Sequence, residues 1–275
     1  MKVRNNVGSR KVLRAIHANA GVADWYANEL QQFLQLAVQD AVFMLTHAYA
    51  EPADVGIVAM DAPAKITKVD AALKAWGKKW EKKFDRLSRD VSKMFAKRSF
   101  AATDVAMRAA LKDAGFTVSF KPSRRALESY KLVVADNVGL IRNLQQSLYS
   151  KIQQDTWASV RKGGDMASLS VKLQQSYGVE AKRAALIARD QNAKAKAVLE
   201  STRRQELGIT KAIWQHSGGG KEPRPVHLQW GREGKVFDLN KGLFDPDEGE
   251  YVLPGVLINC RCTSRAIIPG LEDEE

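Results

Sequence analysis

The chain has 275 residues, 45% of them hydrophobic and 27% charged, a balance that excludes a disordered chain and leaves room for two structural parts. No run approaches the roughly 20 apolar residues that cross a bilayer, and Met1 to Gly21 lacks the apolar core of a secretory signal, so a cytoplasmic protein or a component of a particle assembled there is expected. The formal net charge of +12 is either a solvated basic surface or the footprint of a polyanionic partner, nucleic acid or an acidic protein face.

In chain order, residues 1–21 carry Lys2, Arg4, Arg10, Lys11 and Arg14 and read as a flexible basic arm that orders on a partner. A first helix is expected over Val22 to Ala50, because Tyr26, Leu30, Phe33, Ala37, Ala41 and Leu45 recur at steps of three and four. Glu51, Pro52 and the small residues up to Pro63 end it in a loop. A second helix follows over Ala64 to Phe100. Val69, Leu73, Trp76, Trp80, Phe84, Leu87, Val91 and Met94 form a near-heptad seam, which suits an antiparallel hairpin with the first helix.

The other faces of that second helix are strongly basic. Between Ala64 and Phe100 there are 12 Lys and Arg against 4 Asp and Glu, a net of +8 in 37 residues. Like charges at this density repel and weaken a helix, which favours a polyanion-facing role over a simply solvated face. Lys74, Lys78, Lys79, Lys82, Lys83, Arg86, Arg89 and Lys93 are the candidate DNA-contacting residues. Their contacts would go to phosphates, independent of base sequence and sensitive to salt.

A third helical stretch, Thr103 to Ala114, is expected to stop at Gly115, where a domain boundary is placed. Phe116 to Phe120 alternates like a short strand, and Lys121-Pro122-Ser123 offers an N-cap to the helix through Leu140, Leu144, Leu148 and Ile152. Gly163-Gly164 is a break. Met166 to Tyr177 is expected as a short helix ending at Gly178, and another runs from Glu180 to Leu207, closed by Gly208. Beyond it Ile209 to His216, Lys235 to Leu239 and Val256 to Ile268 are strand-like, separated by a Gly/Pro-rich loop. The acidic tail 271–275 reads as disordered. The order is helices first and a small sheet last, an α+β class with parts at 22–115 and 116–270.

The C-terminal part holds an ordered set of marks. Arg189-Asp190-Gln191-Asn192 lies on a helix, and Gly208-Ile209 leads into a strand with Trp214. Arg224-Pro225-Val226-His227, Gly231, Phe237 and Leu253-Pro254 follow, and Ile258-Asn259-Cys260-Arg261-Cys262 closes the set. This set resembles the phage Mu F-like family, also called the phage head morphogenesis domain, over roughly residues 120 to 270. The closing Asn-Cys-Arg-Cys is its most specific part. Asp190 departs from the family, whose members more often carry Thr-Glu after the arginine.

The resemblance implies a minor head protein of a tailed phage, assembled in the host cytoplasm and located in the virion near the portal vertex. Its implied partners are the portal protein, the major capsid or scaffold protein and packaged DNA, with no membrane. It implies structural rather than catalytic roles for Arg189, Trp214, Arg224, Asn259 and Arg261. The three arginines are read as a charged network between helix and sheet, with Asp190, Asp238 or a backbone carbonyl as partners, over the alternative of a phosphate-binding or enzymatic arginine. Trp214 and Phe237 are read as core residues of the sheet.

His216, His227, Cys260 and Cys262 form a candidate zinc set of two imidazoles and two thiols. The Cys-x-Cys spacing is tighter than the usual finger, so the simpler alternative puts His227 in a hydrogen bond and the cysteines in packing. A disulfide at this spacing would be strained. Structural zinc is therefore a possible cofactor and no catalytic residue is assigned. The alternative function is a metal-dependent enzyme, such as a nuclease or a transferase-like effector carried in the head.

Overall fold

Unbroken apolar stripes make the helices of this chain longer and fewer than its local breakers suggest. The computed structural model describes residues 2–3, 12–50, 62–162, 166–219 and 222–269. The expected loop at 51–61, the Gly163-Gly164 break and the acidic tail lie outside the described residues, as do most of residues 1–11. Four long helices, α1 (Ala20–Ala50), α2 (Ala62–Asp113), α3 (Arg124–Arg161) and α4 (Met166–Glu206), are followed by a small antiparallel β region, so the class is α+β.

Two expected helix ends are absent. The helix expected to stop at Phe100 continues to Asp113, because Phe95, Ser99, Thr103, Met107 and Ala110 are all buried and carry the stripe across the gap. Gly178 likewise does not end α4. Leu169, Leu173, Glu180, Ala184 and Ala188 hold one buried face on either side of it, and this outweighs the roughly 1 kcal/mol a glycine costs a helix interior. Gly115 does follow the end of α2, with φ +90°, and Ser123 Oγ accepts the Ala126 N–H at 3.0 Å as the N-cap of α3.

The chain divides into two compact units that are not consecutive in sequence. One contains residues 24–92 and 136–187, the other 1–23, 93–135 and 188–275. The boundary expected near Gly115 thus marks the end of an element and not of a unit, because α2, α3 and α4 each supply residues to both.

The first unit is a bundle of four helical segments. α1 and α2 run antiparallel, since Phe33 meets Phe84 edge-on at 4.8 Å while the Trp76 indole N–H donates to the Ala37 carbonyl at 2.9 Å. Asp40 receives Lys79 and the Trp80 indole N–H, both at 2.7 Å. On α3, Asn137 accepts the Tyr26 hydroxyl at 2.8 Å, and Gln31 donates to the Ala181 carbonyl of α4 at 3.0 Å. The buried seam of α2 runs as expected through Val69, Leu73, Trp76, Trp80 and Phe84, then shifts. Ser88, Ser92 and Phe95 turn inward beside Val91, whereas Met94 is 48% exposed. A straight helix of 3.6 residues per turn drifts off a heptad seam by about 20° every seven residues, so the eighth apolar position no longer faces the core.

The second unit builds a three-stranded antiparallel sheet from β3 (Lys211–Gln215), β4 (Val236–Asp238) and β7 (Thr263–Ala266), in the order β4-β3-β7. A separate hairpin pairs β5 (Leu243–Asp245) with β6 (Glu250–Val252). β1 (Lys2–Val3) pairs with β2 (Phe116–Thr117), a strand of two residues where five were expected. The arm is not wholly free. Val12 bridges Ile267, the Leu13 N–H donates to the Ala266 carbonyl at 2.8 Å, and Leu13 and Ile16 are each 3% exposed. The core of the unit gathers Leu13, Leu111, Phe116, Ile209, Trp214, Trp230, Phe237, Cys260 and Cys262.

Candidate functional site

The site is assembled in the second unit by one short helix, the strands β3 and β5, two loops and the α4 residues Arg189 and Asp190. β3 alternates its burial, so Ala212 and Trp214 face inward while Lys211 and Gln215 face out. Between β3 and β4 lies a helix, α5 (Pro225–Glu233), in a stretch expected to be loop. Its composition hides it: Pro225 sits where a helix tolerates proline, at the first position, and Gly234 closes it at φ 60°. The Arg-x-x-His step thus becomes the entry to a helix, and His227 and Trp230, three residues apart, share its buried face.

Trp214 meets His227 edge-on at 4.9 Å and Trp230 at 4.8 Å, and the His227 and Trp230 rings stack at 5.2 Å. Trp214 and Phe237 are 1% and 4% exposed, so both are core residues as expected. Gly231 lets this helix approach β3, since a Cβ there would stand 2.5 Å from His216 Cβ.

The closing Asn-Cys-Arg-Cys leaves a turn at Asn259 and leads into β7. Alternation turns Cys260 and Cys262 inward, 5% and 4% exposed, and leaves Arg261 outside. Asn259 takes φ 61°, a left-handed turn that Asn adopts more readily than most residues. Asp190 holds that turn by accepting the Asn259 N–H at 3.0 Å, and Arg189 donates to the Asn259 side chain at 3.3 Å. The residue that departs from the family pattern is therefore the one that anchors the loop.

His227 joins these parts. Its Nε2 lies 3.1 Å from Asp245 Oδ2, and Asp245 is fully buried. Its Nδ1 lies 3.6 Å from Cys260 Sγ and 3.8 Å from Cys262 Sγ. A carboxylate partner fixes the proton on Nε2, so the Nδ1 lone pair points at the two sulfurs. The Cys260 thiol is held well below the ordinary thiol range, first by the hydrogen bond from Cys262 and, against burial, by the backbone N–H groups of Cys262 and Gly255. Cys262, the donor in that pair, is pushed up, and burial adds to the rise.

Above this trio opens a cavity of about 440 Å³ lined by Arg189, His216, Glu222, Arg224 and Arg261 among others. The four candidate metal ligands, the three arginines and Asn259 all line it, while Trp214 and Phe237 do not. The four-ligand zinc set is assembled only in part: ligand atoms of His227, Cys260 and Cys262 lie within 4.8 Å of one another, and His216 is not in that set. His216 Nδ1 instead accepts the Gly218 N–H at 3.1 Å.

The expected arginine network is also relocated. Arg189 and Arg261 are exposed, and Arg224 is half-buried, donating to the Ile258 carbonyl and to Glu248, both at 3.2 Å. The arginines that join helix to sheet and loop are Arg203 and Arg204. Arg204 reaches the Ser264 hydroxyl at 2.7 Å and pairs with Glu200, while Arg203 takes Asp104 at 3.0 Å. Asp238, an expected arginine partner, caps the Asn240 N–H at 2.6 Å. Sequence reasoning missed Asp245, Glu200 and the loop-anchoring role of Asp190. Asp245 and Asp190 meet their partners 18 and 69 residues away, and Glu200 acts on the sheet through Arg204, whose strand partner is 60 residues off. Nothing local marks them.

On α2, all eight candidate DNA-contacting residues are exposed. Lys78, Lys82, Arg86, Arg89 and Lys93 follow one solvent stripe in steps of four, four, three and four. Asp70 takes Lys74, Asp40 takes Lys79, Asp85 takes Arg89, and Asp90 lies 3.7 Å from Arg86. Lys83 rests over the Trp80 ring at 4.4 Å. Among the described residues Lys78, Lys82 and Lys93 have no acidic partner. No described helix is long and apolar enough to cross a membrane.

The family described as Phage Mu protein F like protein matches residues 150–265, a span that contains β3, α5, the hairpin and the Cys-x-Cys loop. An uncharacterized protein of Haemophilus influenzae is 28% identical over 257 residues, 91% of this chain and 54% of its own length. The chain thus spans about half the length of the curated relative it matches. No solved structure matches the chain. The residues that line the cavity all lie within the matched span, and residues 150–265 of this chain are similar to the phage Mu F-like family.

Proposed function

We propose that this protein is a minor head component of a tailed phage, located in the virion near the portal vertex. In this reading it assists head assembly and DNA packaging or delivery. The observation that carries the reading is the phage Mu F-like match over residues 150–265. Its protein partners are the portal protein and the major capsid or scaffold protein, met through the helical surfaces. The DNA part is supported by the basic stripe on α2, whose Lys78, Lys82 and Lys93 present charge that no described acid neutralises. Contacts of this kind go to phosphates and carry no base specificity.

Two measurements test the reading. Cross-linking and mass spectrometry of purified heads from the phage that encodes the protein should recover it at low copy number, linked to the portal. Absence from the heads removes the assignment. For DNA, replacing Lys78, Lys82 and Lys93 by Gln should weaken binding to random-sequence duplex. The slope of log K against log salt should become shallower by roughly 0.9 for each phosphate that is no longer neutralised. An unchanged slope assigns that stripe to a protein surface or to solvent.

A second reading, a metal-dependent enzyme carried in the head, is favoured by one observation. Residues of metal-ligating type lie at the floor of an open cavity with three arginines and Glu222 around it. Metal-dependent nucleic-acid cleavage lost on Glu222→Gln would select it; no turnover by the metal-loaded chain would exclude that activity.

A further inference from the structure

The trio below the cavity has the dimensions of a metal site. Tetrahedral zinc with sulfur at about 2.3 Å and nitrogen at about 2.0–2.1 Å places its S and N ligand atoms roughly 3.6 Å apart. His227 Nδ1 stands 3.6 Å from one sulfur and 3.8 Å from the other, and all three atoms lie within 4.8 Å of one another. Each of the three side chains is no more than 5% exposed. The orientation is set in advance. Asp245 accepts from Nε2 at 3.1 Å, which leaves Nδ1 unprotonated toward the sulfurs, the arrangement that buried carboxylates give to metal-bound histidines. Asp245 is itself fixed, its other oxygen accepting the Asp247 N–H at 3.0 Å.

Three ligands leave one tetrahedral position. His216 is the side chain in the cavity able to fill it, but it lies outside the cluster and its Nδ1 is engaged by Gly218. The cavity opens on that side, and its charge is unbalanced. Arg224 shares Glu248, Arg189 reaches only the Asn259 side-chain amide, and Arg261 has no hydrogen-bond or ion-pair partner among the described residues. The three guanidinium groups face a single lining carboxylate, Glu222.

We infer that Cys260, Cys262 and His227 hold one zinc ion, and that its fourth position opens into the arginine-lined cavity and takes an anionic oxygen ligand. The site goes beyond the head-protein reading and does not depend on it: a chain absent from heads would still bind the metal. Mixed thiolate and imidazole donors select zinc over magnesium or calcium, which prefer oxygen.

The test uses the full chain purified under reducing conditions. Metal analysis should find one zinc per chain. After its removal by a chelator, cobalt(II) should restore one equivalent, consume both thiols, and give a tetrahedral spectrum with thiolate charge-transfer absorption. Inorganic phosphate, as the probe anion, should shift the cobalt bands in the wild type and in His216→Ala, and the shift should weaken in Arg261→Ala. Asp245→Asn should lower metal affinity by about 10–100-fold while keeping the tetrahedral spectrum, which preserves a readout should Cys260→Ser or His227→Ala fail to fold. A folded protein that binds neither zinc nor cobalt with its thiols reduced overturns the site. A cobalt spectrum indifferent to phosphate overturns the open position, whatever His216→Ala does.

Discussion

Three buried charges in a row illustrate how single residues decide the stability of the site's surroundings. Lys196, Glu200 and Arg204 are 4%, 5% and 3% exposed by side chain and lie one helical turn apart on α4, with Glu200 between its two cations. Burial pushes the Arg204 guanidinium below its ordinary range, while Glu200 pulls it back. Arg204 also donates to the Ser264 hydroxyl and carbonyl, at 2.7 and 3.0 Å, and so ties α4 to β7, the strand that begins at the Cys-x-Cys loop. Removing the central anion leaves two unpaired buried cations. Removing Arg204 leaves Glu200 still paired with Lys196. Glu200→Gln should therefore cost about 3–5 kcal/mol in urea denaturation, and more than Arg204→Met. Equal losses would show that Glu200 does not act as the shared partner.

At the scale of elements, Gly77 shows why a helix pattern can be legible while its packing is not. In a mid-helix position glycine costs about 1 kcal/mol relative to alanine, and sequence alone recommends the substitution. In the bundle, a Cβ at Gly77 would stand 2.5 Å from the Tyr149 ring of α3, which stacks at 5.9 Å on Trp76. Gly77→Ala should therefore lower the unfolding free energy by about 1–3 kcal/mol as the ring is displaced, with loss of near-ultraviolet circular dichroism from Trp76. A stabilised variant would refute the close approach. The same limit governs the rest of the elements. The antiparallel α1–α2 hairpin was legible because Trp76, Trp80 and Phe84 repeat at helical steps. The inward turn of Ser88 and Ser92 was not, because serine carries no apolar signal, and Ser88 satisfies its buried hydroxyl on the Asp85 carbonyl of its own helix. α5 was hidden by Arg224-Pro225 and Gly231, residues that usually mark loops. The Cys-x-Cys loop and His227 were visible as motifs, but the carboxylate that orients the imidazole arrives on β5, where no local pattern announces Asp245.

At the scale of the whole molecule, the family segment and the folding unit are different objects. Residues 150–265 contain the cavity and most of the sheet, yet the core they share also takes Leu13, Leu111, Ala114 and Phe116 from outside, along with Ala266 and Ile268 just beyond. The N-terminal segment is a structural member of this core. Val12 bridges Ile267, Leu13 hydrogen-bonds the Ala266 carbonyl, and the Asn19 carbonyl accepts the Asn192 side-chain amide at 2.8 Å. Burying two aliphatic side chains the size of Leu13 and Ile16 contributes about 1.5–3 kcal/mol each. A chain lacking residues 1–19 should therefore be destabilised by about 3–5 kcal/mol, less than the full sum because the cut edge of β7 regains water. A fragment of residues 150–265 alone, deprived of all six outside residues, should show poorly dispersed amide resonances and bind an apolar dye. Well-dispersed resonances from that fragment would mean that the family segment closes its own core. The packing of Leu13 and Phe116 in the core around Trp214 would then be an addition to a finished domain and not a condition for it.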